Sequence, residues 1–483
     1  MIDRRNFLKV AGAVVATAAV EGCKPSSKPA VAASVRRIAG ANGKVDVALI
    51  GIGHRGLENA KLVAETALAN VVAVCDVNLG APHTLEAMAM FPDAKRYKDF
   101  RRMFDDMHSS IEAVFVSTPD FSHFPICMRA IKEGIHVYCE KPLCRTFHEN
   151  QLLIDAARKY PGVVTQMGNQ GHSGEQYYQF QDWMKAGLIK DVTRIVAHMN
   201  NDRRWHVLDP AITRFPDAEP VPSTMDWDVW QSQTMYHDYS HWLDEGNWRC
   251  WYDFGMGALG DWGAHIFDTC HEFLKLGLPD EVSMKYVEGH NDYFFPMSST
   301  IEFKFPRRGS MPACTMTWYD GINNLPELPE GYGESAVGDV PMVNGGELKR
   351  VKVNPGKEIY ARDFIFKGAS HSSPLSIVPS DLQKQMEAEH RIPDPVPADS
   401  PIRRPWSHHT NFLEACMGKG DAHSPFEIAG ELAQVQNLGV IAQRLNTGFK
   451  FDRSSKEIMD NPFANALLTG IPPRKGWEDY YVL

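Results

Sequence analysis

The chain has 483 residues, 43% hydrophobic and 23% charged, an ordinary globular composition with room for roughly two to three domains, each able to bury a core. A formal net charge of -10 and no clustered basic face argue against a nucleic-acid partner. The nine cysteines include no Cys-x-x-Cys pair, which excludes a zinc ribbon or a thioredoxin-type motif and leaves scattered buried thiols as the expectation.

Arg4-Arg5-Asn6-Phe7-Leu8-Lys9 precedes a weakly apolar run from Val10 to Val20. A charged start, a short apolar core and a small-residue exit make a signal peptide. The run is too short to span a bilayer as a mature helix. The paired arginines with Phe7 and Lys9 resemble a twin-arginine (Tat) export signal. Gly22-Cys23 resembles a lipoprotein processing site, although Val20 and Glu21 depart from the usual residues before it. Plain cleavage nearby or an uncleaved anchor is the alternative. Residues 1–23 therefore read as an export signal to the periplasm with a lipid anchor at Cys23, and 24–43, rich in Ser, Pro, Ala and Gly, as a tether.

Val45 to Ile50 is a β-branched run that leads into Gly51-Ile52-Gly53-His54-Arg55-Gly56 and then a helical pattern through Leu57, Leu62 and Val63. Strand, GxGxxG and helix in that order are a dinucleotide site. Gly51 permits the tight turn, Gly53 lets backbone approach a pyrophosphate, and Gly56 allows close helix packing. His54 and Arg55 fall on the same loop and join the cofactor contacts. A second strand, Asn70 to Cys75, ends in Asp76, about 20 residues past Gly56. A carboxylate there accepts ribose hydroxyls and repels a 2′-phosphate, which favours NAD over NADP. Arg55 and Asn78 keep NADP as the weaker alternative.

Alternation continues with strands over Ala113–Ser117 and His136–Cys139 and a helix from Pro125 to Glu133, so the first folded part, 44–165, is an α/β doubly wound parallel sheet, a Rossmann domain. Ser117, Thr118, Pro119 and Glu140-Lys141-Pro142 fall at strand ends, where such sheets bind ligands. Gly168-Asn169-Gln170-Gly171-His172 follows another strand. Asn169 and His172 there are expected to contact nicotinamide or substrate, against the alternative of a polar turn that satisfies its own amides.

Three motifs resemble the Gfo/Idh/MocA oxidoreductases: Glu140-Lys141-Pro142 about 90 residues beyond the glycine loop, Ser117-Thr118-Pro119 with His123, and Gly255-Met256-Gly257-Ala258-Leu259-Gly260-Asp261-Trp262-Gly263-Ala264-His265. The resemblance covers roughly residues 44–320. It implies a second, α+β domain with a large open, mostly antiparallel sheet, often a dimer or tetramer interface, and chemistry on hydroxyl or carbonyl groups of sugars and cyclitols. It also implies that His123 and Glu140 lie in the cofactor site and that Lys141 bonds the reacting oxygen. The exported form is similar to NAD-dependent N-acetylgalactosaminidases, which oxidise, eliminate and reduce again.

Asp261 and His265 at i and i+4 share one face of a helix. His265 is the candidate base, Asp261 its orienter or a second contact, and Lys141 the stabiliser of developing negative charge. Seven of the eleven tryptophans lie between Trp205 and Trp262, beside Arg203, Arg204, Trp248-Arg249 and Tyr252. Aromatic faces stack on sugar C–H faces, so Arg204 and Tyr252 are expected substrate contacts, although most of the tryptophans serve as packing. Strands are expected over Thr193–Met199, Glu281–Val287, Ser298–Phe305 and Met311–Trp318 in a substrate and oligomerisation domain, 166–445, with irregular insertions near 322–354 and 379–401. A C-terminal extension, 446–483, packs on the body. His408-His409 has no partner at metal-ligand spacing, and no metal is assigned. Three functions stay open: a sugar dehydrogenase, a glycosidase or lyase that recycles tightly bound NAD, and a non-catalytic sugar-binding lipoprotein.

Overall fold

The computed structural model describes residues 42–326 (186 and 188 excepted), 358–360 and 407–483, with residues 40 and 388–389. The signal peptide, Cys23, most of the tether and nearly all of the two insertions lie outside the described residues.

Strands β1 (Val45–Ile50), β2 (Ala69–Cys75), β3 (Lys95–Tyr97), β4 (Ala113–Val116), β5 (His136–Cys139) and β6 (Thr165–Met167) form one sheet in the order β3-β2-β1-β4-β5-β6. Every pairing in it is parallel. β4 and β5 are buried along their whole length, as strands covered on both faces must be. The chain reverses direction across the sheet between β1 and β4, which opens a crevice at their carboxyl ends. The ladder runs one residue past each strand: Gly51, Ser117, Glu140 and Gly168 donate backbone N–H groups to Cys75, Ile50, Val116 and Cys139. These bonds hold four turn residues in a row along the edge where a ligand sits.

The second sheet runs β11-β7-β10-β9-β8-β12-β13, with β7 (Arg194–Met199), β8 (Glu281–Glu288), β9 (Ser298–Phe305), β10 (Cys314–Asp320), β11 (Glu358–Tyr360), β12 (Phe449–Asp452) and β13 (Glu457–Ile458). Four pairings are antiparallel. β7 joins β10 and β11 in parallel. The helix Phe426–Leu445 welds this sheet to the first domain. Its Gly430 lies where a Cβ would be 2.6 Å from Ile154, its Asn437 accepts from Asn150 at 2.8 Å, and its Gln443 donates to Ser299 at 2.7 Å.

Chain order and spatial order part company near the C-terminus. The helix His408–Cys416, expected in the second domain, buries Phe412, Leu413 and Cys416 with Val47, Leu49 and Phe115 of the first. The extension adds β12 and β13 to the second sheet and then returns to the first domain, where Trp477 packs on Phe100 and Tyr481 on Phe124. The eight described cysteines are buried, and none is joined to another in a disulfide.

Candidate active site

β1 is apolar and closely packed, so the chain leaves it along a fixed direction. Gly51 turns with φ +78°, and a Cβ on it would meet the Ser117 carbonyl oxygen at 2.7 Å. A Cβ on Gly56 would lie 2.0 Å from the Gly51 oxygen. Side chains are excluded at both places, and backbone N–H groups are left to face a ligand. His54 follows at φ +44° and stacks on His83, ring centroids 4.6 Å apart. Past β2, Asp76 accepts the Ile52 N–H at 3.0 Å and the Asn78 N–H at 2.9 Å. The acidic side chain at the end of β2 is thereby tied to the glycine loop.

A crevice of about 850 Å³ runs from this loop to the second domain. Gly51, Gly53, His54, Arg55 and Asp76 line it together with Ser117, Thr118 and Pro119, and so do Lys141, Arg204, Asp261 and His265. The Lys141 ammonium donates to the Asp261 carboxylate at 2.5 Å and to its backbone oxygen at 2.8 Å. Gly260 permits this approach: a Cβ there would sit 3.0 Å from the Pro142 ring and 2.4 Å from Met256. Burial opposes charge on Asp261, but Lys141, Arg249 and Arg203 outweigh it and hold the carboxyl below its ordinary range. His265 is pushed down to about 3, first by burial and then by the Lys141 cation. The site thus presents an ammonium and a neutral imidazole to one volume. Asp261 and His265 do not share an α-helix, as their spacing suggested. Leu259–Gly263 is a π-helical turn and Ala264–Ile266 resumes the α form, a local irregularity frequent at functional sites.

Comparison with known proteins identifies the two domains that meet at the crevice. Residues 45–168 match the GFO_IDH_MocA model, described as "Oxidoreductase family, NAD-binding Rossmann fold". Residues 183–301 match the family's C-terminal alpha/beta domain, so the two span about half of the chain. The chain belongs to the Gfo/Idh/MocA oxidoreductases. Residues 1–20 match the Tat signal sequence, which makes it an exported member. It is 29% identical over 143 residues to inositol 2-dehydrogenase of Salmonella typhimurium, covering 29% of this chain and 41% of that one. It is 26% identical over 224 residues to alpha-N-acetylgalactosaminidase of Shewanella oneidensis, covering 43% and 48%. The aligned stretches thus span less than half the length of these relatives. Among solved structures, the WlbA dehydrogenase of Chromobacterium violaceum, in complex with NADH and UDP-GlcNAcA, superposes with a TM-score of 0.51 at 14% identity, over 86% of this chain and 97% of that one. At that identity the likeness is one of fold.

Five residues expected in this Gfo/Idh/MocA site do not line its crevice. Glu140 is buried behind Lys141 and accepts from Arg55 Nε and Asn59 Nδ2, each at 3.0 Å. Burial opposes its charge, yet Arg55 and Asn59 keep it ionised, and it ties the glycine loop to the end of β5. His123 spends its ring on backbone, with Nε2 at 2.8 Å from the Thr118 oxygen and Nδ1 at 2.9 Å from that of Pro142. It ties together two strand-end turns. Asn169 and His172 are wholly buried. His172 Nε2 lies 2.8 Å from Glu272 and 3.1 Å from Asp268, and Asn169 sits 3.4 Å from its other nitrogen. Tyr252 is buried against Phe295, with the Arg444 guanidinium over its ring. Each is polar or aromatic beside a motif, and the packing of other segments turns it inward. Conversely, His83, Arg203 and Arg249 line the crevice without having been singled out as contacts. Arg203 and Arg249 stand over Trp262 and Trp248 at 5.0 and 4.1 Å, so the Arg–Trp clustering in the sequence was the available signal.

Proposed function

We propose that this exported oxidoreductase acts on a hydroxyl or carbonyl of a sugar or glycoside, with NAD(H) held along the glycine loop. The observation that carries the reading is that Lys141, Asp261 and His265 line the same crevice as the glycine loop and Asp76. The cradle fits a dinucleotide: Gly51 and Gly56 leave no room for side chains, and Asp76 stands at the end of β2 to take ribose hydroxyls and disfavour NADP. NAD, when bound, supplies the hydride acceptor. The chain's own groups handle the proton. A substrate hydroxyl placed between Lys141 and His265 gives its proton to the neutral imidazole. The ammonium stabilises the oxygen as negative charge develops, a term of about 10²–10³ in rate for a preorganised donor. Asp261 holds Lys141 in place.

A second reading has a specific support. The Tat signal sends a folded protein out of the cytoplasm, where free NAD is available. A glycosidase or lyase that keeps its cofactor, oxidising and then reducing the same sugar, needs no outside oxidant, and the aligned alpha-N-acetylgalactosaminidase favours it. Acylation of Cys23, which would hold the enzyme at a membrane, belongs to the same proposal. Incubation of the NAD-loaded protein with free sugars and with nitrophenyl glycosides separates the readings. NADH from a free sugar marks the dehydrogenase, and phenol release without added NAD marks internal recycling. Silence in both assays, with nucleotide bound, would remove both.

A further inference from the structure

Three cations converge on one carboxylate at the substrate end. Asp261 has Lys141 at 2.5 Å, Arg203 at 3.9 Å and Arg249 at 4.0 Å. The other carboxyls whose charges reach this cluster are spent elsewhere: Asp202 lies 3.0 Å from His206, and Glu140 accepts from Arg55 and Asn59. Asp320 accepts from Ser299, Trp318 and Gln443, and Asp120 accepts the Met256 N–H at 3.2 Å. Arg203 is the odd member. Its side chain is only 15% exposed, yet Nε and Nη2 are shielded from solvent with no hydrogen-bond partner. A guanidinium so placed keeps donors that a planar, two-oxygen acceptor fits. Burying cations without matching anions is costly, and Trp262 and Trp248 hold the two guanidinium groups against their rings while both share the single Asp261 carboxylate with Lys141.

We infer that Arg203 and Arg249 form a carboxylate subsite, and that the sugar this crevice takes is an acidic one, a hexuronate or its glycoside. The inference rests on the sugar-oxidoreductase reading of the crevice and narrows its substrate class. Arg203 and Arg249 both lie within 4.0 Å of Asp261, and a reorientation of the Arg203 guanidinium brings its two unpaired donors to the anion. The adjacent Arg204 serves another part of the crevice, beside Gly246, where a Cβ would lie 3.3 Å from its Nη2. The neutral Trp262 ring stays available to the sugar face.

The test is calorimetric titration of the NAD-loaded full chain with D-glucuronate and D-galacturonate, each against its neutral amide. For at least one pair the acid is expected to bind at least about tenfold more tightly than the amide, the value of a charge-assisted contact. Arg203→Gln is expected to erase that preference and Arg203→Lys to keep part of it, with bound NAD and melting temperature unchanged in both. Amides that bind as tightly as the acids, or no binding by any of the four, would overturn the inference. So would an Arg203→Gln protein that folds but loses its NAD, since the cations would then serve the cofactor's pyrophosphate. Preferred binding of the acid without NADH formation would leave the subsite standing and remove the dehydrogenase reading instead.

Discussion

Lys141 and Asp261 lie 120 residues apart in the chain and meet at 2.5 Å. Lys141 follows β5 of the first sheet, and Asp261 sits on the π-turn of the second domain, so their bond closes the crevice between the two. On the proposed function, replacement of Lys141 by Ala removes the ammonium at the reacting oxygen and leaves the half-buried Asp261 carboxylate to Arg203 and Arg249. Turnover is expected to fall about 10²–10³-fold with NAD still bound, as measured by steady-state rates and nucleotide content. Turnover within a few-fold of the parent would take Lys141 out of the chemistry.

His265 gives a pH signature. Because burial and Lys141 hold it down at about 3, the imidazole is neutral throughout the range around its ordinary 6.5, and a weak base there. kcat/KM is therefore expected to show no acid limb near pH 6.5. His265→Ala is expected to lower kcat by about 10²–10⁴-fold. An acid limb centred at 6.5, absent from His265→Ala, would contradict the burial argument.

On the proposed function, Asp76 selects NAD over NADP. Its carboxylate also accepts two backbone N–H groups at the loop, so Asp76→Ser should cost stability of about 1 kcal/mol for each bond weakened. The more telling expectation is a loss of NAD affinity of about tenfold with NADP gaining relative to it, read by titration of the stripped protein with each nucleotide. An unchanged ratio would place the discrimination elsewhere.

His409 tests the seam between the helix His408–Cys416 and the first sheet. It is 2% exposed, stacks on Tyr138 and faces Asn59 at 3.0 Å. Burial pushes it down to about 4 from 6.5. Between those values the unfolded chain binds a proton that the folded one refuses, so its contribution is complete above pH 6.5 and is lost as pH falls toward 4. At about 1.4 kcal/mol per pKa unit, the parent should lose about 3 kcal/mol relative to His409→Gln over that window, seen in urea unfolding. Parallel pH dependence in the two proteins would show that His409 is not the titrating group.

The sequence was most readable where one segment carries the whole signal. β1, the glycine loop and Asp76 are close in the chain, and their roles follow from steric demands at Gly51 and Gly56. Lys141, Asp261 and His265 were legible because family motifs surround them. The π-turn was not, since periodicity at Asp261 and His265 resembles an α-helix over so few residues. Glu140, His123, Asn169 and His172 lie off the crevice wall for one reason: each stands in or beside a motif, but its side chain is turned toward other partners, as His172 is toward Asp268 and Glu272. Arg203 was undervalued because its meaning depends on Asp261, Trp262 and Arg249, which only the fold assembles.

The central claim is a sugar oxidoreductase working through nicotinamide nucleotide on the Lys141–His265 pair. The most direct measurement is the nucleotide content of the protein purified after native export, followed by absorbance at the NADH band on adding sugars and glycosides, with Lys141→Ala as the control. The account expects NAD bound near one per chain, and either NADH formation or glycoside cleavage that Lys141→Ala abolishes. Protein that carries no NAD and binds none on titration, or turnover that survives loss of Lys141, would contradict it.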